Sequence, residues 1–207
     1  MSLTQKSNSL TDLDAIVVGA GFSGLYMLYQ LREAGFSTRV FEVGDNVGRT
    51  WYWNRYPGAR CDVESIYYNY TFSEELLKEW SWSAKYAEQP EILRYINFVA
   101  DKFNLRRDVQ FNTRVQSTQY DENKNRWNVQ LNNGETVSAQ YFITAVGCLS
   151  ASNVPKFKGL ENFKNVWYHT GHWPHEGVDF EGKRVALLVQ DPAAFRPFRS
   201  LLKKPNT

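Results

Sequence analysis

The sequence predicts an α/β fold: a parallel sheet with helices layered on it and an antiparallel β-hairpin set into it. Three observations carry that reading. Residues 15–18, Ala-Ile-Val-Val, form a wholly apolar run of the kind a buried strand needs. Glycines follow at once at Gly19, Gly21 and Gly24, and then Leu25, Leu28, Tyr29 and Arg32 recur at helical spacing until Gly35. Further on, the segments 127–131 and 136–144 are joined across Asn133-Gly134, a strong hairpin signal.

Taken in order, residues 1–13 are polar and read as a loose lead-in, too polar for a signal peptide. The strand, glycine turn and helix follow, and then a second strand over 37–43 that carries Glu42 near its end. Residues 44–62 lack periodicity and are dense in turn residues, which predicts a long ordered loop of functional kind. Ser73 before Glu74 and Glu75 marks a short helix start. Pro90 opens a longer helix with Ile92, Ile96, Val99 and Phe103 on one face. Three strands are predicted next, over 109–119, 127–131 and 136–144, the last running on to Gly147, where backbone can pass beside a nucleotide. Residues 150–158 connect, and 183–189 read as the opening strand of a second nucleotide unit.

The chemistry sits in the first turn. Strand, Gly-x-Gly-x-x-Gly and helix, in that order, are the context of a Rossmann-like dinucleotide fingerprint. Gly19 permits the tight turn, Gly21 leaves room for a diphosphate, and Gly24 lets helix and strand approach closely. The diphosphate then lies on free amides at the positive end of the helix. Glu42, roughly twenty residues after Gly19, can accept both ribose hydroxyls of an adenosine and repel a 2′-phosphate.

Composition excludes several other classes. The chain has 207 residues and a net charge of +2, which fits no general polyanion partner. No apolar run approaches the length of a membrane span, and two cysteines make no disulfide framework, so a reducing cytoplasm is the expected compartment. His169, His172 and His175 lie close in sequence, but Gly171 and Pro174 keep a helix from aligning them and no familiar ligand spacing surrounds them, so no metal is expected. The aromatic run with Arg49, Arg55 and Arg60 could stack bases, but the near-neutral charge argues against nucleic acid. Cys61 reads as a packed thiol, because no histidine lies in its segment; Trp80 and Trp82 read as core or loop anchors.

By Asp62 the sequence resembles one family, the type I Baeyer–Villiger monooxygenases, flavoproteins that use NADPH and O2 to insert oxygen beside a ketone. Gly48, Trp51, Tyr56, Pro57, Gly58 and Asp62 fit its first pattern, and Phe163, His169, Trp173 and Pro174 fit the second. The wording of 51–62 is nearest the ketone and steroid branch. Arg49 and Asn165 stand where those patterns have glycine. The resemblance runs from about Asp14 to Leu188. It implies a lead-in over 1–13, a three-layer FAD-binding domain over 14–150, a hinge over 151–182 and the truncated start of an NADPH domain over 183–207. It implies that FAD lies along Gly19, Gly21, Phe22, Ser23, Gly24, Glu42, Gly48, Arg49, Thr50, Trp51, Asp62 and Tyr68, with adenine near Val115. Arg49 either collides with the flavin or pairs with its diphosphate. Asp62 would be the catalytic carboxylate, acting with an arginine further along the family's chain. Phe163, His169, Trp173 and Pro174 would form the hinge. The implied function is NADPH- and FAD-dependent oxygenation of a ketone to an ester or lactone, with the chain an N-terminal fragment inactive by itself. An N- or S-oxygenating flavin monooxygenase, and a non-catalytic flavin-binding or misfolded fragment, are the alternatives.

After Leu188 that family requires a second glycine fingerprint. Pro192 and Pro197 stand there instead, and either would break the nucleotide helix. Back-translation of 188–196 with a shift of one base can be written as Gly-Thr-Gly-Ser-Ser-Gly-Ile-Gln. The tail is therefore read as a hypothetical frameshift product; coding codons for 189, 191 and 194 not preceded by G remove that hypothesis.

Overall fold

The computed structural model describes residues 12–188. Six strands form one sheet. β1 (Asp12–Val18) lies at its centre, parallel to β2 (Thr38–Phe41) on one side and to β6 (Thr136–Thr144) on the other. β3 (Val109–Gln110) extends the parallel part beside β2, while β5 (Arg126–Leu131) and β4 (Val115–Asp121) continue from β6 antiparallel. A Rossmann-like sheet with a hairpin insertion is thus what the chain forms. Ala15, Ile16 and Val17 are fully buried, as a strand with neighbours on both edges requires.

Leu13, Ile16, Phe41, Val129, Leu131, Val137 and Ala139 make one buried cluster, with Val18, Val115, Trp127 and Phe142 packed against it. Burial of each large member contributes roughly 1.5–3 kcal/mol before chain entropy is counted. Helix α1 (Phe22–Glu33) lies against β1 and β2 and buries Gly24, Leu25 and Leu28. It ends in a Schellman turn: Gly35, at φ +81, donates to the Arg32 carbonyl, and Phe36 donates to that of Leu31.

The described chain divides into two compact units, and the dividing line falls inside the longest helix. The first takes the chain up to Arg49 together with Ile96–Cys148, and so contains the whole sheet. The second takes Thr50–Tyr95 and the described residues from Leu149 on. It holds α2 (Thr50–Trp53), α3 (Glu74–Glu79) and the start of α4 (Gln89–Lys102). The Ser73 hydroxyl accepts from the Leu76 amide and caps α3, as its sequence suggests. Ile92, Ile96 and Val99 of α4 are buried on one face.

Three expectations are corrected. The span 109–119 is two strands rather than one. Asn112 takes a left-handed φ of +53, and the amides of Asn112 and Thr113 bond the carbonyls of Gly44 and Glu42, so the chain leaves its parallel partner and restarts in the hairpin. The loop after residue 44 contains one helical turn, Thr50–Trp53. Residues 183–188 form no strand; Lys183 to Leu188 run irregularly, with Val185 and Leu188 exposed, because no strand of the sheet pairs with them. The tail beyond, with its frameshift reading, lies outside the described residues.

Candidate functional site

In the first unit the site is the junction of β1 and α1. Val18 ends β1, its carbonyl accepts from the Ala145 amide, and the Gly19 amide donates to Phe41 at 2.9 Å. Gly19 sits at φ +105, where a side chain is strained, and a Cβ there would stand 2.7 Å from the Ala145 carbonyl oxygen. A Cβ on Gly24 would stand 1.8 Å from the Gly19 oxygen, so only glycine allows this close approach. Gly21 is the N-cap of α1 and brings no side-chain cap, and the first turn carries no acid. The positive dipole end of α1 is therefore directed at the glycine turn with no acidic side chain to offset it, which favours an anion there. Phe22, half-buried, and Ser23, exposed, begin that turn.

Glu42 is fully buried beside this turn. Its Oε2 accepts from the Ala20 amide at 2.8 Å and its Oε1 from the Gly44 amide at 2.9 Å. The carboxylate thus holds the loop after β2 against the glycine turn, a role that the sequence did not suggest. A carboxylate has about four lone-pair directions, so acceptor capacity remains. Gly48, at φ +126, donates from its amide to the Ala20 carbonyl at 2.9 Å. Arg49 follows at φ +44 and is nearly buried; its Nη1 lies 3.7 Å from Glu42 Oε1, and its Nη2 donates to the Val146 carbonyl at 3.0 Å. Gly19, Gly21, Gly24, Glu42, Gly48 and Arg49 are thus brought together. Val115 lies in β4, opposite Leu131 and half-buried.

The other expected residues belong to the second unit. Thr50 opens α2, and Trp51 is buried, donating from Nε1 to the Tyr68 hydroxyl at 3.0 Å with the rings edge to face at 5.9 Å. Buried Gln89 donates to the Trp51 carbonyl, a second tie that sequence reading missed. Arg60 pairs with Glu88 across an isolated bridge, and the Cys61 amide bonds Ala87 at 3.0 Å, which leaves Asp62 exposed at the mouth of the following turn. Cys61 itself is packed, and burial pushes its thiol pKa up. Of the hinge residues, Trp173 is buried between Tyr168 and Phe180, the Pro174 carbonyl accepts from Gly177, and His169 Nδ1 accepts from the Gly171 amide at 3.0 Å. Phe163 is exposed.

Residues 16–186 match the family model described as pyridine nucleotide-disulphide oxidoreductase. The chain belongs to that family. Neither cysteine of this member is disulfide-bonded: Cys61 and Cys148 are both free. A Baeyer–Villiger monooxygenase of Pseudooceanicola batsensis is 51% identical over 178 residues, 86% of this chain and 32% of that protein. A phenazine N-monooxygenase of Lysobacter antibioticus is 43% identical over 182 residues, 87% of this chain and 34% of that protein. Among solved structures, an oxidized steroid monooxygenase bound to NADP superposes with a TM-score of 0.86 at 51% identity, over 92% of this chain and 37% of its own. The resemblance to Baeyer–Villiger monooxygenases read from the two motifs is therefore borne out within the pyridine nucleotide-disulphide oxidoreductase family. The chain spans about a third of the length of these relatives.

Proposed function

We propose that the chain is the FAD-holding part of an NADPH-dependent monooxygenase that converts a ketone to an ester or lactone with O2. The observation that carries this reading is the glycine turn with buried Glu42 at its side. Gly24 and Gly19 meet where no Cβ fits, and α1 starts at Gly21 without a side-chain cap. These are donors and shape suited to the diphosphate of a dinucleotide. The remaining lone pairs of Glu42 suit the ribose that follows. Bound FAD supplies the redox chemistry: it takes electrons from NADPH and activates O2.

In this reading the protein's residues supply position and charge. The backbone amides at Gly21 to Ser23 hold the diphosphate, and Glu42 the adenosine ribose. This reading assigns Trp51 and Tyr68 to the flavin and makes Asp62 the carboxylate of the reaction. The segment around His169 and Trp173 couples the flavin part to the NADPH-binding part. A reducing cytoplasm suits two free thiols. No helix of the described residues is long and apolar enough to cross a membrane.

A second reading, oxygenation of nitrogen rather than of a ketone, is favoured by the phenazine N-monooxygenase among the relatives. Both readings require FAD and differ in product, ester against N-oxide. The shared requirement is tested by thermal melting with FAD and with FMN, which lacks the adenylate half. FAD should raise the Tm and FMN should not. Equal effects of the two, or none, count against a dinucleotide site.

A further inference from the structure

One side chain crosses the glycine turn and reaches Glu42. Arg49 has a left-handed φ of +44, a conformation that arginine adopts rarely and that its surroundings must hold. What holds it is the side chain. Nη1 faces the buried Glu42 carboxylate at 3.7 Å, and Nη2 donates to the Val146 carbonyl at 3.0 Å. On the way there the stem crosses the glycine turn. A Cβ on Gly21 would meet Arg49 Cβ at 3.0 Å and Cγ at 3.2 Å, and a Cβ on Gly19 would meet Arg49 Nε at 3.1 Å. The space that the missing side chains of Gly19 and Gly21 open is therefore filled by arginine, and the guanidinium lies beside the carboxylate meant for ribose.

We propose that Arg49 is a built-in occupant of the dinucleotide cradle. Its stem stands in the room that Gly21 leaves for a diphosphate, its guanidinium is held beside the ribose carboxylate by Glu42 and the Val146 carbonyl, and the side chain must swing out before FAD can enter. This inference rests on the FAD reading above. Its consequence is thermodynamic: apparent affinity falls by the fraction of molecules in which the cradle is open. Residue 49 then sets cofactor affinity and entry rate by leaving the cradle, with no contact to the bound cofactor required.

Purified wild type, Arg49→Gly and Arg49→Ala are titrated with FAD by fluorescence, and association rates are measured by stopped flow. Thermal melts first establish that each protein folds; glycine accepts φ +44 without strain, so the first variant preserves the turn. Both variants are expected to bind FAD about tenfold or more tightly than wild type, with faster association. Weaker binding by both makes Arg49 a diphosphate anchor and overturns the proposal. Tighter binding by Arg49→Gly alone traces the gain to backbone relief and overturns it too. Equal binding by all three proteins overturns it while the FAD reading stands, and no binding by any of them removes both.

Discussion

The carbonyl oxygen of Gly19 lies 1.8 Å from the point where a Cβ on Gly24 would stand. The obstacle is backbone, held by β1 on one side and by the start of α1 on the other, so it has no flexible end to move aside. Gly24→Ala should therefore separate helix from strand and destabilise the fold by about 3 kcal/mol. Urea unfolding measures this; a loss under about 0.5 kcal/mol would show that helix and strand are not locked there.

Glu42→Gln probes the loop anchor. Glutamine keeps one acceptor oxygen, so one of the two buried amides, Ala20 or Gly44, loses its partner, and Arg49 loses its counter-charge. A hydrogen bond to a charged acceptor contributes roughly 1.5–3 kcal/mol, and a destabilisation of about 2 kcal/mol is expected. An unchanged unfolding midpoint would mean that the carboxylate does not hold the turn.

The two thiols should differ sharply. Cys148 is exposed, whereas Cys61 is packed with its pKa raised by burial, so little of it is thiolate near neutral pH. A chromogenic disulfide should modify one thiol quickly and the second only after unfolding. Cys148→Ser should abolish the quick phase; its persistence would contradict the burial of Cys61.

Tyr95 supplies a pH signature. Burial pushes its phenol up to about 12 from 10.0, while the Tyr70 amide, donating to its oxygen at 2.9 Å, opposes the rise. A folded pKa above the unfolded one means that the folded state keeps its proton longer. The stability from this group is complete below about pH 10 and is lost between about pH 10 and pH 12, by on the order of 3 kcal/mol. Denaturant unfolding of wild type and Tyr95→Phe across that range measures it, and the variant should lose less. Parallel losses in the two proteins would contradict the assignment.

Ketone oxygenation by the purified 207-residue polypeptide is not expected, since the stretch it shares with its relatives is about a third of their length. Gas chromatography of a ketone incubated with NADPH and air checks this, and ester formation would contradict it.

How much was legible depends on whether the determinant was local. The β1 turn and α1 could be read because the glycines, the apolar run and Gly35 all act on their own neighbours. The Asn133-Gly134 hairpin was equally local, with Gly134 at φ +88. The corner between β3 and β4 was missed, although Asn112 is a residue tolerant of left-handed backbone, because the turn is fixed by the distant carbonyls of Gly44 and Glu42. The strand expected over 183–188 depends on a neighbour that the sheet does not offer it, and apolarity alone cannot supply one. In the site, Glu42 was legible as the acid that follows the glycine turn, but its bonds to the Ala20 and Gly44 amides were not, and Gln89, bonded to the Trp51 carbonyl, left no trace in spacing.

The central claim is that the glycine turn and Glu42 hold an adenine dinucleotide. Calorimetric titration of FAD into this chain and its Arg49→Gly variant, with ADP as competitor, tests it most directly. Saturable one-to-one binding, displaced by ADP, is the expected result. Heats no greater than dilution for both proteins, or binding indifferent to ADP, would contradict it.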